Sequence, residues 1–142
     1  MSRRYITVEE QRIIIERAHE RCEYCQSLLA YAVQPFVIDH ITAVSQGGQT
    51  ILDNLALACG GCDGHKRDKS TAIDPITERL VPLFHPRQQN WSEHFAWNDQ
   101  FTEIIGITPT GRATVITLNL NRPGVIKMRK LLRLAGQHPP IL

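Results

Sequence analysis

The sequence contains no apolar run approaching the roughly 20 residues that a membrane-spanning helix needs, which leaves no candidate for a helical span. No apolar stretch follows Met1-Ser2-Arg3-Arg4-Tyr5, so a secretory signal is not expected and the reading is a cytoplasmic protein. Without export, cysteines stay reduced, and a metal role is favoured over disulfides. Internal repeats and low-complexity tracts are also missing, which sets aside a repeat array. Net charge is small, +2 from 16 basic and 14 acidic residues, and alone is weak ground for a nucleic-acid partner. Acidic residues run out after Glu103, whereas Arg112, Arg122, Lys127, Arg129, Lys130 and Arg133 follow. A basic end of this kind either meets phosphates or is a solvated face.

What is present fits one domain, or a small one with an extension: 142 residues, 42% hydrophobic, with a change of character near residue 74. The division expected is 1–73 for a core unit and 74–142 for an α+β extension. Only four cysteines occur, as Cys22-Glu23-Tyr24-Cys25 and Cys59-Gly60-Gly61-Cys62. Two such pairs are the sequence form of a tetrahedral zinc site, each short loop turning two thiolates toward one metal at about 2.3 Å. Inert buried thiols are the alternative. The 33 residues between the pairs exceed the needs of a simple zinc ribbon. Inside them stands Asp39-His40, a carboxylate beside an imidazole.

Along the chain, Thr7 and Glu10 have the capping-box form, and Ile13, Ile14 and Ala18 supply an apolar side, predicting a helix over 8–20 with His19 on its surface. Pro35 to Ile38 predicts a short buried strand closed by Asp39-His40. Ala43 to Ser45 is expected as its return strand, Gln46 to Gln49 as a turn, and Leu55 to Leu57 as a short helical turn that Asn54 could cap. A polar helix is expected over 63–70. Further on, Arg79 to Phe84 reads as an edge strand carrying Pro82. Phe95-Ala96-Trp97 and Glu103 to Ile107 form an expected hairpin, and Thr108-Pro109 starts a helix. A last helix over 122–135 is expected to bury Val125, Met128, Leu131, Leu132 and Ala135 and to expose Arg129, Lys130 and Arg133. His85, His94 and the two tryptophans read as packing residues.

Residues 22–66, with the Asp39-His40 pair, the Gly47-Gly48 turn, Asn54 and a Cys-x-x-Cys ending four residues before Lys66, resemble the HNH endonuclease family. They resemble its four-cysteine zinc branch in particular, which includes endonuclease VII-like proteins. The resemblance implies a ββα-metal (His-Me finger) core clamped by Cys22, Cys25, Cys59 and Cys62 around structural zinc. It implies His40 as general base, Asp39 as ligand of a catalytic divalent ion, and Asn54 as the residue that holds the active loop. The last motif position, usually Asn or His, is Asp63 here, which keeps an oxygen ligand and adds a charge; His65 is the second choice for that ligand.

Physical chemistry supports the same division of labour. An imidazole of pKa about 6.5 can take a proton from water at neutral pH. Mg²⁺ or Mn²⁺ suits carboxylate oxygens, whereas soft thiolates select zinc. Asp63 could instead serve only as a helix N-cap acid. Lys66 and Arg67 are read as nucleic-acid contacts or as solvated charges. The expected function is metal-dependent hydrolysis of DNA, double-stranded, with a homodimer as one route to cutting both strands. The alternatives are a catalytically inactive zinc-held nucleic-acid-binding module and a protein-interaction module.

Overall fold

The computed structural model describes residues 4–141; Met1, Ser2, Arg3 and Leu142 lie outside it, including part of the stretch searched for an export signal. The fold is α+β, with three two-stranded antiparallel sheets and five α-helices among the described residues. No helix there is long and apolar enough to cross a membrane.

Helix α1 (Val8–Arg17) starts at the expected capping box, where the Thr7 side chain accepts from the Glu10 amide and the Glu10 carboxylate from the Thr7 amide. It stops three residues early because His19 and Glu20 adopt positive φ, turning the chain into the first cysteine pair. His19 is exposed but lies beyond the helix.

Strand β1 (Val37–His40) pairs antiparallel with β2 (Leu55–Ala58), with His40 opposite Leu55 and Asp39 opposite Ala56. Three expectations are corrected here. The apolar start of β1 is not its buried part; burial falls instead on Asp39 and His40. Ala43 to Ser45 form no strand, because Gly47 and Gly48 donate back to Val44 and Ala43 and so use the carbonyls that a ladder would need. A 3₁₀ turn occupies Val44–Gln46. Leu55 begins a strand, not a helix: its four residues are all buried, with α1 packed against the strand.

Both glycines of the turn are required. Gly47 sits at φ 89°, and a Cβ on Gly48 would lie 1.8 Å from the Thr42 carbonyl oxygen.

Helix α2 (Gly60–Lys66) begins at the second cysteine pair and ends four residues before the expected stop at Ser70. Residues 67–70 turn instead into β3 (Thr71–Ile73), which the sequence reading missed, paired with β4 (Leu80–Pro82). A short helix α3 (Trp91–His94) leads into the expected hairpin, β5 (Phe95–Trp97) and β6 (Ile104–Gly106). Helix α4 (Pro109–Thr117) starts as expected, with the Thr108 hydroxyl accepting from the Gly111 amide.

Helix α5 (Pro123–Leu134) has a different inner face from the one expected. Ala135 is exposed at the helix C-cap and Leu131 is 61% exposed, whereas Arg129 is 4% exposed. Its guanidinium donates to the carbonyls of Thr102 (2.8 Å) and Leu120 (2.8 Å) and lies 5.1 Å from the Trp97 ring centroid. An arginine whose donors are met by fixed carbonyls can be buried where a leucine would leave those carbonyls unpaired.

One buried cluster joins the two halves of the chain: the four cysteines and Tyr24 with Phe84, Trp91 and Phe95. The Trp91 indole N–H donates to the Tyr24 carbonyl at 2.9 Å, and Phe84 packs edge-on to Phe95. His94 is held by the Thr108 hydroxyl.

Candidate active site and zinc centre

The two cysteine pairs are brought together by β2 and the start of α2. One ligand atom from each of Cys22, Cys25, Cys59 and Cys62 lies within 4.8 Å of the others, a cluster able to hold a metal ion. Two backbone amides point at the sulfurs, Cys25 N to Cys22 Sγ (3.5 Å) and Cys62 N to Cys59 Sγ (3.4 Å). Hydrogen bonding among the sulfurs holds Cys25 well below the usual thiol range and brings Cys59 down to about 7, while burial pushes Cys22 up. Thiolate donors in tetrahedral number fit structural zinc.

Asn54 closes the loop above β1. Its side-chain oxygen accepts from the Thr42 amide (2.8 Å), and its Nδ2 donates to the carbonyls of Thr42 (3.0 Å) and Gln49 (2.8 Å). The amide pairs both ways with one residue, as a backbone peptide would, and so prolongs the ladder beyond His40. His40 Nε2 lies 2.9 Å from the Thr50 hydroxyl at the far end of that loop. Thr50 was missed in the sequence; only its place just after the Gly-Gly turn hinted at it.

Helical geometry distributes the α2 side chains. Residues four apart share a face. Cys62 must face the metal cluster, so Lys66 turns inward with it and is 1% exposed. Its ammonium donates to Asp39 Oδ1 (3.3 Å) and to the carbonyls of His40 (3.2 Å) and Ile41 (3.1 Å). The expectation that Lys66 contacts nucleic acid is therefore corrected: it is a buried strut. Asp39 also accepts from the Tyr24 hydroxyl at 2.7 Å, and burial raises its carboxyl above the usual range while Lys66 pulls the other way.

Asp63 and Arg67 share the next face. With Asp39, His40 and Asp68 they line an open cavity of about 510 Å³. Arg67 has φ 54° and ψ −129°, a conformation ordinarily left to glycine and costing about 1–3 kcal/mol, such as concentrates at functional sites. His65 lies on the third face with Gly61, whose carbonyl is 2.7 Å from its Nδ1, and lines a different cleft with Lys69 and Thr117. The structure thus gathers Asp39, His40, Asp63 and Arg67 and leaves His65 out. Asp39 and Asp63 offer the hard oxygen donors that Mg²⁺ or Mn²⁺ takes. A carboxylate has about four lone-pair sites, so Tyr24 and Lys66 do not exhaust Asp39.

Residues 22–69 match the model of the HNH endonuclease family. The match covers about a third of the chain, and this stretch is similar to an HNH module. No curated protein and no solved structure matches the chain. The module accounts for β1, β2, α2 and both cysteine pairs, and residues from 70 onward lie beyond the match. Of the six basic residues after Glu103, three are committed inside the molecule: Arg112 to Asp74, Arg122 to the cysteine sulfurs and Arg129 to carbonyls. Lys127, Lys130 and Arg133 are exposed, although Arg133 also donates to the Gln100 carbonyl.

Proposed function

We propose that the protein is a metal-dependent endonuclease that hydrolyses phosphodiester bonds in double-stranded DNA, with residues 1–73 as the catalytic unit and 74–142 as its brace. The observation that carries the reading is the single cavity lined by Asp39, His40, Asp63 and Arg67 within a stretch that matches an endonuclease family. His40 acts as general base. Its imidazole, with Nε2 2.9 Å from the Thr50 hydroxyl, takes the proton from water. Arg67 offsets charge on a non-bridging phosphate oxygen. Asn54 keeps the loop and the base in register. Asp39 and Asp63 would hold Mg²⁺ or Mn²⁺, which when bound neutralises charge on the phosphate and on the leaving 3′ oxygen. Two copies would cut both strands of a duplex.

A second reading, a zinc-held module without catalysis, is favoured by the ion pair of Lys66 with Asp39 (3.2 Å), because it engages a carboxylate assigned to the cation. The test that separates the two is nicking of supercoiled plasmid in Mg²⁺ or Mn²⁺. His40→Ala is expected to slow cleavage by about 10²–10⁴ at unchanged zinc content. Equal rates for variant and parent would overturn the assignment of His40, and absence of cleavage by the parent would favour the second reading.

A further inference from the structure

Resting on the reading of the four cysteines as a zinc site, we propose that Arg122, outside the HNH module, is a built-in cationic guard of that site, screening the zinc thiolates and holding zinc in place. Its Nη2 lies 3.5 Å from Cys59 Sγ and 3.9 Å from Cys62 Sγ, and its Nη1 lies 3.7 Å from Cys62 Sγ. Four thiolates around one divalent cation leave two negative charges uncompensated. Arg122 is always charged, and its planar fork can serve two sulfurs at once. Charge-assisted N–H bonds to sulfur withdraw electron density from it and so make it a poorer nucleophile.

The position is constructed from both sides. On the arginine side, Nη1 also donates to the carbonyls of Leu118 (3.1 Å) and Asn119 (3.0 Å), which fixes the fork at the start of α5. The neighbouring Asn121 locks that turn to β6, accepting from Ile104 N (2.7 Å) and donating to Ile104 O (2.9 Å). On the module side, the guanidinium occupies the space of a missing side chain: a Cβ on Gly61 would lie 2.8 Å from Arg122 Cζ. Of the two glycines between the second pair of cysteines, Gly61 is the one that admits the arginine.

The cysteine contacted most closely is also the most exposed of the four. Cys59 is 9% exposed, against 1% or less for the other three. It lines an apolar cleft together with Gly60, Gly61 and Arg122. A chelator or electrophile entering there meets the guanidinium beside the thiolate.

The test uses the full chain, loaded with zinc, at one fixed pH. Zinc analysis of the parent comes first: absence of zinc would sink the zinc reading, independently of Arg122. Zinc transfer to a chromogenic chelator is then timed for the parent, Arg122→Gln, Arg122→Lys and Gly61→Ala. Loss of a partner to metal ligands typically costs 10–100-fold in metal affinity, so Arg122→Gln and Gly61→Ala are expected to release zinc about 10–100-fold faster. Arg122→Lys should fall between, keeping charge but losing the fork. Alkylation by N-ethylmaleimide, mapped by mass spectrometry, should reach Cys59 first in Arg122→Gln. Parent-like release by both Arg122→Gln and Gly61→Ala would overturn the proposal. So would simultaneous alkylation of all four cysteines in Arg122→Gln, the sign of a general loosening rather than an unguarded sulfur.

Discussion

If His40 is the general base, the placing of its ring matters, and the Thr50 hydroxyl 2.9 Å from Nε2 helps to hold it. Thr50→Val removes that hydroxyl at nearly constant shape and so loosens one hold on the ring. Misplacement of a catalytic group can cost on the order of 10²-fold, so cleavage should fall by up to about that much, with most of it restored in Thr50→Ser. A valine variant that cuts as well as the parent in a plasmid assay would remove Thr50 from the site. Asp63 and His65 present a second choice at this scale. Asp63 lines the cavity with His40, and His65 lines another cleft. Asp63→Ala is therefore expected to lose cleavage across a Mg²⁺ or Mn²⁺ titration, Asp63→Asn to retain it at higher metal concentration, and His65→Ala to behave nearly as the parent. The reverse order would put the cation on His65. Lys66 shows why residue type misleads: a lysine in a polar helix reads as solvated, yet its spacing from Cys62 points it inward.

Among elements, the join between the β3–β4 hairpin and α4 is an ion pair. Arg112 Nε and Nη2 each lie 2.9 Å from an oxygen of Asp74, a two-pronged contact on a carboxylate that is wholly buried. Arg112, followed by amides of the 76–77 turn, holds the Asp74 carboxyl well below the usual carboxylate range. The sign is that of a depressed acid. Its contribution is fully present above the unfolded carboxylate pKa of about 3.9 and is lost as pH falls through the lower folded value. Thermal melts of Asp74→Asn and the parent should accordingly differ most near neutrality and converge as the pH falls below about 4. A gap of constant size down to strongly acid pH would refute the linkage. Helix α5 teaches a related point. Its expected inner face fails at Leu131 and Ala135, which are exposed, and at Arg129, which turns inward because the backbone carbonyls there need donors more than they need methyl groups.

For the molecule as a whole, the cysteine cluster and the aromatic residues of the C-terminal half form one core, so the metal site should decide the stability of both. Structural zinc supplies binding energy of order 10 kcal/mol in small metal-held units. Cys59→Ser, or prolonged chelation of the parent, should abolish cooperative unfolding by circular dichroism in both halves together. A melt that keeps its midpoint without zinc would mean that the metal is dispensable. Much of this was legible in the sequence by itself. The cysteine pairs announce their chemistry because thiolate spacing is a local constraint, and Thr7, Glu10, Thr108 and Pro109 announce helix starts because capping is local too. Tertiary structure decided what depends on contact between distant segments. The return partner of β1 is Leu55–Ala58, not the nearer Ala43 to Ser45, because Asn54 mimics a peptide group against Thr42. Lys66 went to Asp39, Thr50 to His40 and Arg122 to the sulfurs across separations of 27, 10 and about 60 residues. Pattern along a chain reports which face a side chain takes, but only the packed fold brings a partner to that face.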